Sequence, residues 1–340
     1  MAERTLTQRE LNRALLARQL LLERSRLPIP RVLERTGGLQ AQYAPSMYVG
    51  LWSRMERFER SDLDRALERR AVVQGTLMRT TIHLVSTRDY WPFAAGIRRS
   101  RREWWLRLQK GEIDDATMRR RAARVRQLLA AGPRPGRELE EHPSGYFGLW
   151  IDLVRVPPSG TWARRRADLY AAAEQWLGRS DVSEEAGLQH LVRRYLGAFG
   201  PAALSDVASW AGIPAGRLAR TLSGMKLRLF RDETARKLVD LPRAPLPSPE
   251  VPAPARFLPV WDAVLLAHAR RTGVLPEEYR PRLFSTQNPA SANTFLVDGV
   301  VAGTWRHERG RIALEPFQRL SRATRAELET EAERLAELYR

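Results

Sequence analysis

Two glutamines stand two residues apart in the stretch Gly37-Gly38-Leu39-Gln40-Ala41-Gln42. A glutamine amide does not titrate and is a poor nucleophile, but it carries two N–H donors and a carbonyl acceptor in one plane. Residues i and i+2 share no helix face, whereas in an extended chain they point the same way. Gly37-Gly38 ends a helix and permits extension directly afterwards. Gln40 and Gln42 can then face one spot, with Leu39 and Ala41 packed behind. The plainer reading is that both amides only satisfy backbone groups at a helix end, and composition by itself favours that reading.

Other candidates for chemistry are sparse. With no cysteine, disulfides, thiolate metal sites and a cysteine nucleophile are excluded. The five histidines, His83, His142, His190, His268 and His307, show no paired spacing, so neither a metal nor another cofactor is expected. His83 shares a strand face with Thr81 and Val85 and reads first as a structural histidine, second as support for a site. Asp262, in "LPVWD", reads first as ordering a turn or an arginine, second as support for a site.

The charge says more. The 340 residues hold 57 Lys+Arg against 39 Asp+Glu, a net +18, and only Lys110, Lys226 and Lys237 are lysines. A surplus of that size draws the chain to phosphate backbones, so a nucleic acid is the expected partner. The runs Arg98–Glu103 and Arg164–Arg166 are candidate phosphate contacts, the second more so because it lies in a wing-like segment. No apolar run approaches a membrane span, and the first residues lack the apolar core of a signal peptide. A monomer in the cytoplasm, associated with the nucleoid, is the expectation.

The elements that must position these residues are legible in part. Thr7 and Glu10 have capping-box spacing before a helical apolar pattern. A second helix is expected over Ile29–Arg35 and a third over Ser61–Arg70, capped by Ser61. "AVVQGTLM" and "TTIHLVS" then read as two strands. Three helices and a hairpin make a winged helix. The order recurs at 112–180, with a turn at "GPRPGRE" and a wing in "VRVPPSGTWARRR". It recurs again at 184–242, where Ala208, Gly212 and Leu218 suit a helix-turn-helix. A Pro-rich linker, "LPRAPLPSPEVPAPAR", precedes a β-rich end with a hairpin at Asp298-Gly299 and an amphipathic helix in "SRATRAELETEAERLAELY". The expected fold is α+β, mainly α: winged helices over 1–110, 111–182 and 183–244, then a small β-barrel and closing helix over 250–340.

"GGLQAQ", "RTTIHLVSTRDY" (Arg79–Tyr90), "LPVWDAVLLAHARR" (Leu258–Arg271) and "DGVVAGTWR" (Asp298–Arg306) together resemble the winged-helix DNA glycosylases typified by AlkZ. The similarity runs in order over nearly the whole chain. It implies a monofunctional glycosylase that removes cationic N-alkylpurines such as N7-alkylguanine from double-stranded DNA, in the branch that unhooks interstrand crosslinks as resistance to azinomycin-type antibiotics. The family's catalytic Gln–apolar–Gln motif maps onto Gln40, Ala41 and Gln42; a sister branch has Asp at the last position. The resemblance also implies a hairpin that probes the DNA groove. Its candidates are Asp298-Gly299 and the turn "RHERGR", whose Arg306, Arg309 and Arg311 would then contact DNA. Two amides suffice for such a substrate, because a base already cationic leaves without a proton donor, and scarce lysine agrees with no strand cleavage. Helix-turn-helix units are otherwise binding modules. The alternative is therefore a non-catalytic DNA-binding protein, a regulator or an adduct-sequestering protein.

Overall fold

The computed structural model describes residues 4–139, 147–268, 273–284 and 292–340. Strand β1 (Arg4–Leu6) leads into helix α1 (Gln8–Arg18), which opens on the expected capping box: Thr7 N–H donates to the Glu10 carboxylate at 2.8 Å and Glu10 N–H to Thr7 Oγ1 at 3.2 Å. Helix α2 (Ile29–Thr36) starts between two prolines and ends at Gly37 in the left-handed conformation, and β2 (Leu39–Gln40) follows at once. Helix α3 (Ala44–Arg54) departs from expectation. Every one of its residues is buried, so it has no polar face to mark it as a helix. Helix α4 (Arg60–Glu68) begins a residue earlier than expected, and its cap is Glu59 rather than Ser61; Glu59 N–H donates to Asp62 Oδ2 at 2.9 Å. Strands β3 (Val72–Thr76) and β4 (Ile82–Ser86) pair antiparallel as expected, and helix α5 (Thr87–Leu108) leaves the sheet.

The next segment holds α6 (Asp115–Leu129), β5 (Arg134–Pro135), β6 (Leu153–Arg155), β7 (Leu169–Ala172) and α7 (Ala173–Leu177). Its strands do not form a separate wing. β6 pairs with β3 through Gln74↔Arg155 and Gly75↔Val154, giving one six-stranded sheet in the order β2-β4-β3-β6-β7-β5. The strand that carries Gln40 is therefore the edge of a sheet extending well beyond its own hairpin. The helix expected after the Gly132–Glu138 turn, His142, and the end of the Leu258–Arg271 stretch lie outside the described residues.

Helices α8 (Glu184–Phe199), α9 (Leu204–Ala211) and α10 (Ala215–Ser223) precede the hairpin β8 (Arg228–Asp232) and β9 (Lys237–Asp240). Gly212 ends α9 with φ 69°, and Ala208 and Leu218 are buried, as a helix-turn-helix requires. β1 adds in parallel to β8, tying the first residues to this hairpin. The Pro-rich linker is strapped to α1 by arginines: Arg9 donates to the Pro249 carbonyl at 2.8 Å, Arg13 to Val251 at 2.6 Å and Arg18 to Pro245 at 2.9 Å.

The last section comprises β10 (Arg256–Leu258), α11 (Arg280–Leu283), β11 (Thr294–Val297), β12 (Val300–Glu308), β13 (Arg311–Pro316) and α12 (Arg322–Tyr339). Among the described residues its strands form an open sheet, β10-β11-β12-β13, and not the expected barrel. Helices do the covering that closure would have done. Val49 and Trp52 of α3 and Leu328 and Leu335 of α12 bury Phe257, Phe295 and Trp305 of the sheet. The molecule is thus a mixed α/β fold.

Candidate active site

Gln40 lies on β2 and is paired in register with His83 of β4, while Leu39 pairs with Leu84. Gly38 makes this edge pairing possible. It sits at φ 83°, and a Cβ there would stand 2.9 Å from Val85 Cγ1. The chain stays extended past the strand, with Ala41 N–H donating to the Ile82 carbonyl at 2.7 Å. Leu39 and Ala41 are buried, Gln40 is half-buried and Gln42 is exposed, so the two glutamines face away from the core together.

Each amide is fixed through its oxygen. Arg79 Nη2 donates to Gln40 Oε1 at 3.2 Å, and Ile82 N–H donates to Gln42 Oε1 at 3.1 Å. Among the described residues neither amide nitrogen has a protein partner. Each glutamine therefore presents two N–H donors and one remaining carbonyl lone pair to the site. Arg79 is the residue that sequence reasoning missed: nothing local to it indicates that it reaches the glutamine.

His83 is only 3% exposed and its Nδ1 lies 3.0 Å from the Thr81 carbonyl, which makes Nδ1–H the donor. Burial, reinforced by the Arg79 charge, pushes its pKa down to about 3. At neutral pH it is uncharged, directly across the strand pair from Gln40. Asp262 does both things expected of it and touches neither glutamine. It caps Val264 N–H at 3.0 Å and forms a two-pronged pair with Arg54 at 2.8 and 2.9 Å, both side chains fully buried. Arg54 also donates to Gln19 Oε1 at 3.2 Å, and Gln19 donates to the Thr36 carbonyl at 3.1 Å, immediately before Gly37-Gly38. Asp262 thus braces the entrance to β2 from a distance.

One expected DNA contact, Arg165, lies beside the residue that follows the glutamines. Tyr43, next to Gln42 and 41% exposed, has its hydroxyl 3.1 Å from Arg165 Nη1. Trp162, in the same loop as Arg165, packs edge-on against Tyr339 with ring centres 5.0 Å apart, and His307 stacks on Tyr339 at 4.2 Å. The loop 156–168, the end of α12 and the β12–β13 hairpin are joined in this way. Arg166 is 86% exposed at its side chain; both it and Arg164 lie near Asp168, at 3.2 and 3.3 Å.

The two candidate hairpins differ. Asp298 is held by Arg9 at 2.8 Å and by Arg13, and the Gly299 carbonyl accepts from Asn12 at 2.8 Å, so that tip is docked on α1. The β12–β13 tip projects instead. Arg306, Arg309 and Arg311 are exposed, and Arg309 and Arg311 have no side-chain partner among the described residues; Arg306 pairs with Glu308. The run at Arg98–Glu103 turns inward. Arg98 and Arg101 pair with Asp152 at 2.7 and 3.0 Å, Arg102 donates to the Leu149 carbonyl at 2.8 Å, and Arg99 pairs with Glu103. Arg98, Arg101 and Arg102 thus join α5 to the segment before β6, whereas Arg99 is exposed and its partner lies on the same helix.

A family model described as DNA glycosylase AlkZ-like matches residues 33–338. The solved structure of the Streptomyces sahachiroi DNA glycosylase AlkZ is similar at a TM-score of 0.82, with 18% identity, covering 98% of this chain and 97% of that one. At that identity the likeness establishes the fold. A comparison with curated proteins gave no match.

Proposed function

This chain belongs to the AlkZ-like family of DNA glycosylases, and from there we propose that it hydrolyses the N-glycosidic bond of cationic N-alkylpurines, N7-alkylguanine above all. Gln40 and Gln42 align the attacking water. The water oxygen bonds to C1′ while the C1′–N9 bond breaks. The electron pair goes to the base, which leaves neutral, and the water's proton passes to solvent. No acid is required, because the substrate supplies the positive charge. The amides contribute aim and dipoles.

One observation carries the reading: two amides anchored through their oxygens at 3.2 and 3.1 Å on an outward face, with Gln40 across the strand pair from a histidine held neutral by burial. That equipment suits a leaving group already activated. On this reading the duplex lies against the face that carries the glutamines, with Arg164–Arg166 on its backbone and the exposed β12–β13 tip, with Arg306, Arg309 and Arg311, in a groove. Gln42 is exposed and Gln40 only half-buried, which leaves room for a bulky adduct beside them. On this reading the physiological task is unhooking interstrand crosslinks of an alkylating natural product, in self-resistance or repair.

The test is a set of defined duplexes carrying N7-alkylguanine, uracil or 8-oxoguanine. Free base and an alkali-labile abasic site are expected from the first only. Borohydride should trap no protein–DNA adduct, because among the described residues none of the three lysines hydrogen-bonds to either glutamine. Efficient uracil release would reveal an acid that this mechanism lacks. Binding without release from any duplex would return the chain to a regulator or an adduct-sequestering protein.

A further inference from the structure

The turn between β3 and β4 is built against the preference of its residues. Arg79 and Thr80 both lie in the left-handed region, with φ 52° and 59°. Successive turn residues in the left-handed region are usually glycine, asparagine or aspartate, and a β-branched residue there is an outlier. Strain of this sort persists only where surrounding contacts over-determine it, and it concentrates at functional sites.

The contacts that hold it come from two directions. Arg79 Nη1 donates at 2.7 Å to the carbonyl of Trp210, near the end of α9, and Nη2 donates at 3.2 Å to Gln40 Oε1. Trp210 is itself fixed, buried among Phe93, Tyr195 and Phe199. Gly212 lets that helix end come close, since a Cβ there would stand 3.3 Å from Arg79 N. The guanidinium is thus a rigid fork, one prong on a fixed backbone carbonyl and the other on the glutamine.

We propose that Arg79 is the positioning residue for Gln40, an inference that rests on Gln40 acting in base hydrolysis. The last torsion of a glutamine is broad and nearly two-fold, so an unheld amide exchanges its oxygen and nitrogen faces. Arg79 removes that freedom by holding Oε1, which leaves the NH₂ and the second lone pair of the oxygen to the site. Among the described residues its Nη1 and Nη2 donate to two carbonyl oxygens. A guanidinium keeps its proton at any pH the enzyme meets, so the hold does not lapse.

A double-mutant cycle tests this, using single-turnover release of N7-methylguanine and the Kd for the same duplex. Arg79→Ala should slow release by roughly 10²-fold, the cost of a misplaced catalytic group, with Kd unchanged. In a Gln40→Ala background the same change should cost little more, whereas in a Gln42→Ala background it should cost its full factor. Arg79→Lys should recover part of the rate, because one ammonium cannot span both acceptors. Should Arg79→Ala fail to fold, Arg79→Lys in the same three backgrounds carries the cycle. Equal slowing by the Arg79 change in the Gln40→Ala and Gln42→Ala backgrounds would overturn the proposal while leaving the glycosylase reading intact. A wild-type protein that releases no base would overturn that reading and this proposal with it.

Discussion

Gln42 Oε1 accepts a hydrogen bond of 3.1 Å from the backbone N–H of Ile82, one strand away. Because a backbone N–H can only donate, the amide orientation is set: oxygen inward, nitrogen outward. Gln42 is held by the sheet edge itself, Gln40 by an arginine. Either amide should be indispensable. Gln40→Ala and Gln42→Ala are each expected to slow base release by about 10²-fold or more, comparable to losing one preorganised donor. The Kd for undamaged duplex should hardly move. Loss of binding in parallel with rate would mark the pair as structural.

The buried His83 makes a separate statement about acid. Its folded pKa of about 3 lies below the ordinary 6.5, so the unfolded chain takes up that proton first as pH falls. Its contribution to stability is therefore complete above about pH 6.5 and is lost progressively toward pH 3, at no more than about 1.4 kcal/mol per pH unit. His83→Asn keeps a donor for the Thr81 carbonyl and removes the titration. Urea midpoints at pH 7.5 and 5 should fall less for the variant than for the wild type, and the pH–rate profile should show no inflection belonging to His83. Equal acid sensitivity of the two proteins would refute the assignment.

Features written in a few neighbouring residues were legible in the sequence. Thr7 with Glu10, Gly37 with Gly38, and Asp298 with Gly299 each specify a cap or turn by local geometry, and each is found. The glutamine pair was visible for the same reason, since its alternation with Leu39 and Ala41 is local. Helix α3 was hidden because a helix buried all round has no 3.6-residue polar period. The pairing Gly75↔Val154 and the reach of Arg79 to Trp210 join residues far apart in the chain, and no neighbouring residue signals them. The β-barrel expectation failed similarly: the strand patterns and the closing helix α12 were visible, but not α3, which covers the sheet beside it.

The arginine cluster bears on affinity. Arg165 is oriented by Tyr43 beside the glutamines, and Arg166 extends into solvent. Duplex binding should weaken with salt at a log–log slope of about −0.9 per phosphate neutralised. Replacing Arg164, Arg165 and Arg166 together with alanine should flatten that slope by up to about three such increments, equally on all DNA sequences. Arg98→Ala, whose partner is Asp152, should leave the slope as it is. A triple variant with the wild-type slope would show that the loop does not meet the backbone.

Asp262 and Arg54 supply the last test, because they separate bracing from catalysis. Both side chains are inaccessible, and the aspartate is the arginine's one charged partner among the described residues. Asp262→Ala strands a guanidinium in the interior and should cost about 3–5 kcal/mol of stability. Replacing both members, as Arg54→Met with Asp262→Leu, removes the stranded charge and should recover a good part of that loss. The double variant still lacks the Arg54–Gln19 hydrogen bond that steadies Gln19 and, through it, the Thr36 carbonyl. Its release rate, measured well below its melting temperature, should fall by less than the rate of Gln40→Ala, since no group touching the substrate has gone. A folded double variant as inactive as Gln40→Ala would place Asp262 in the chemistry rather than behind it.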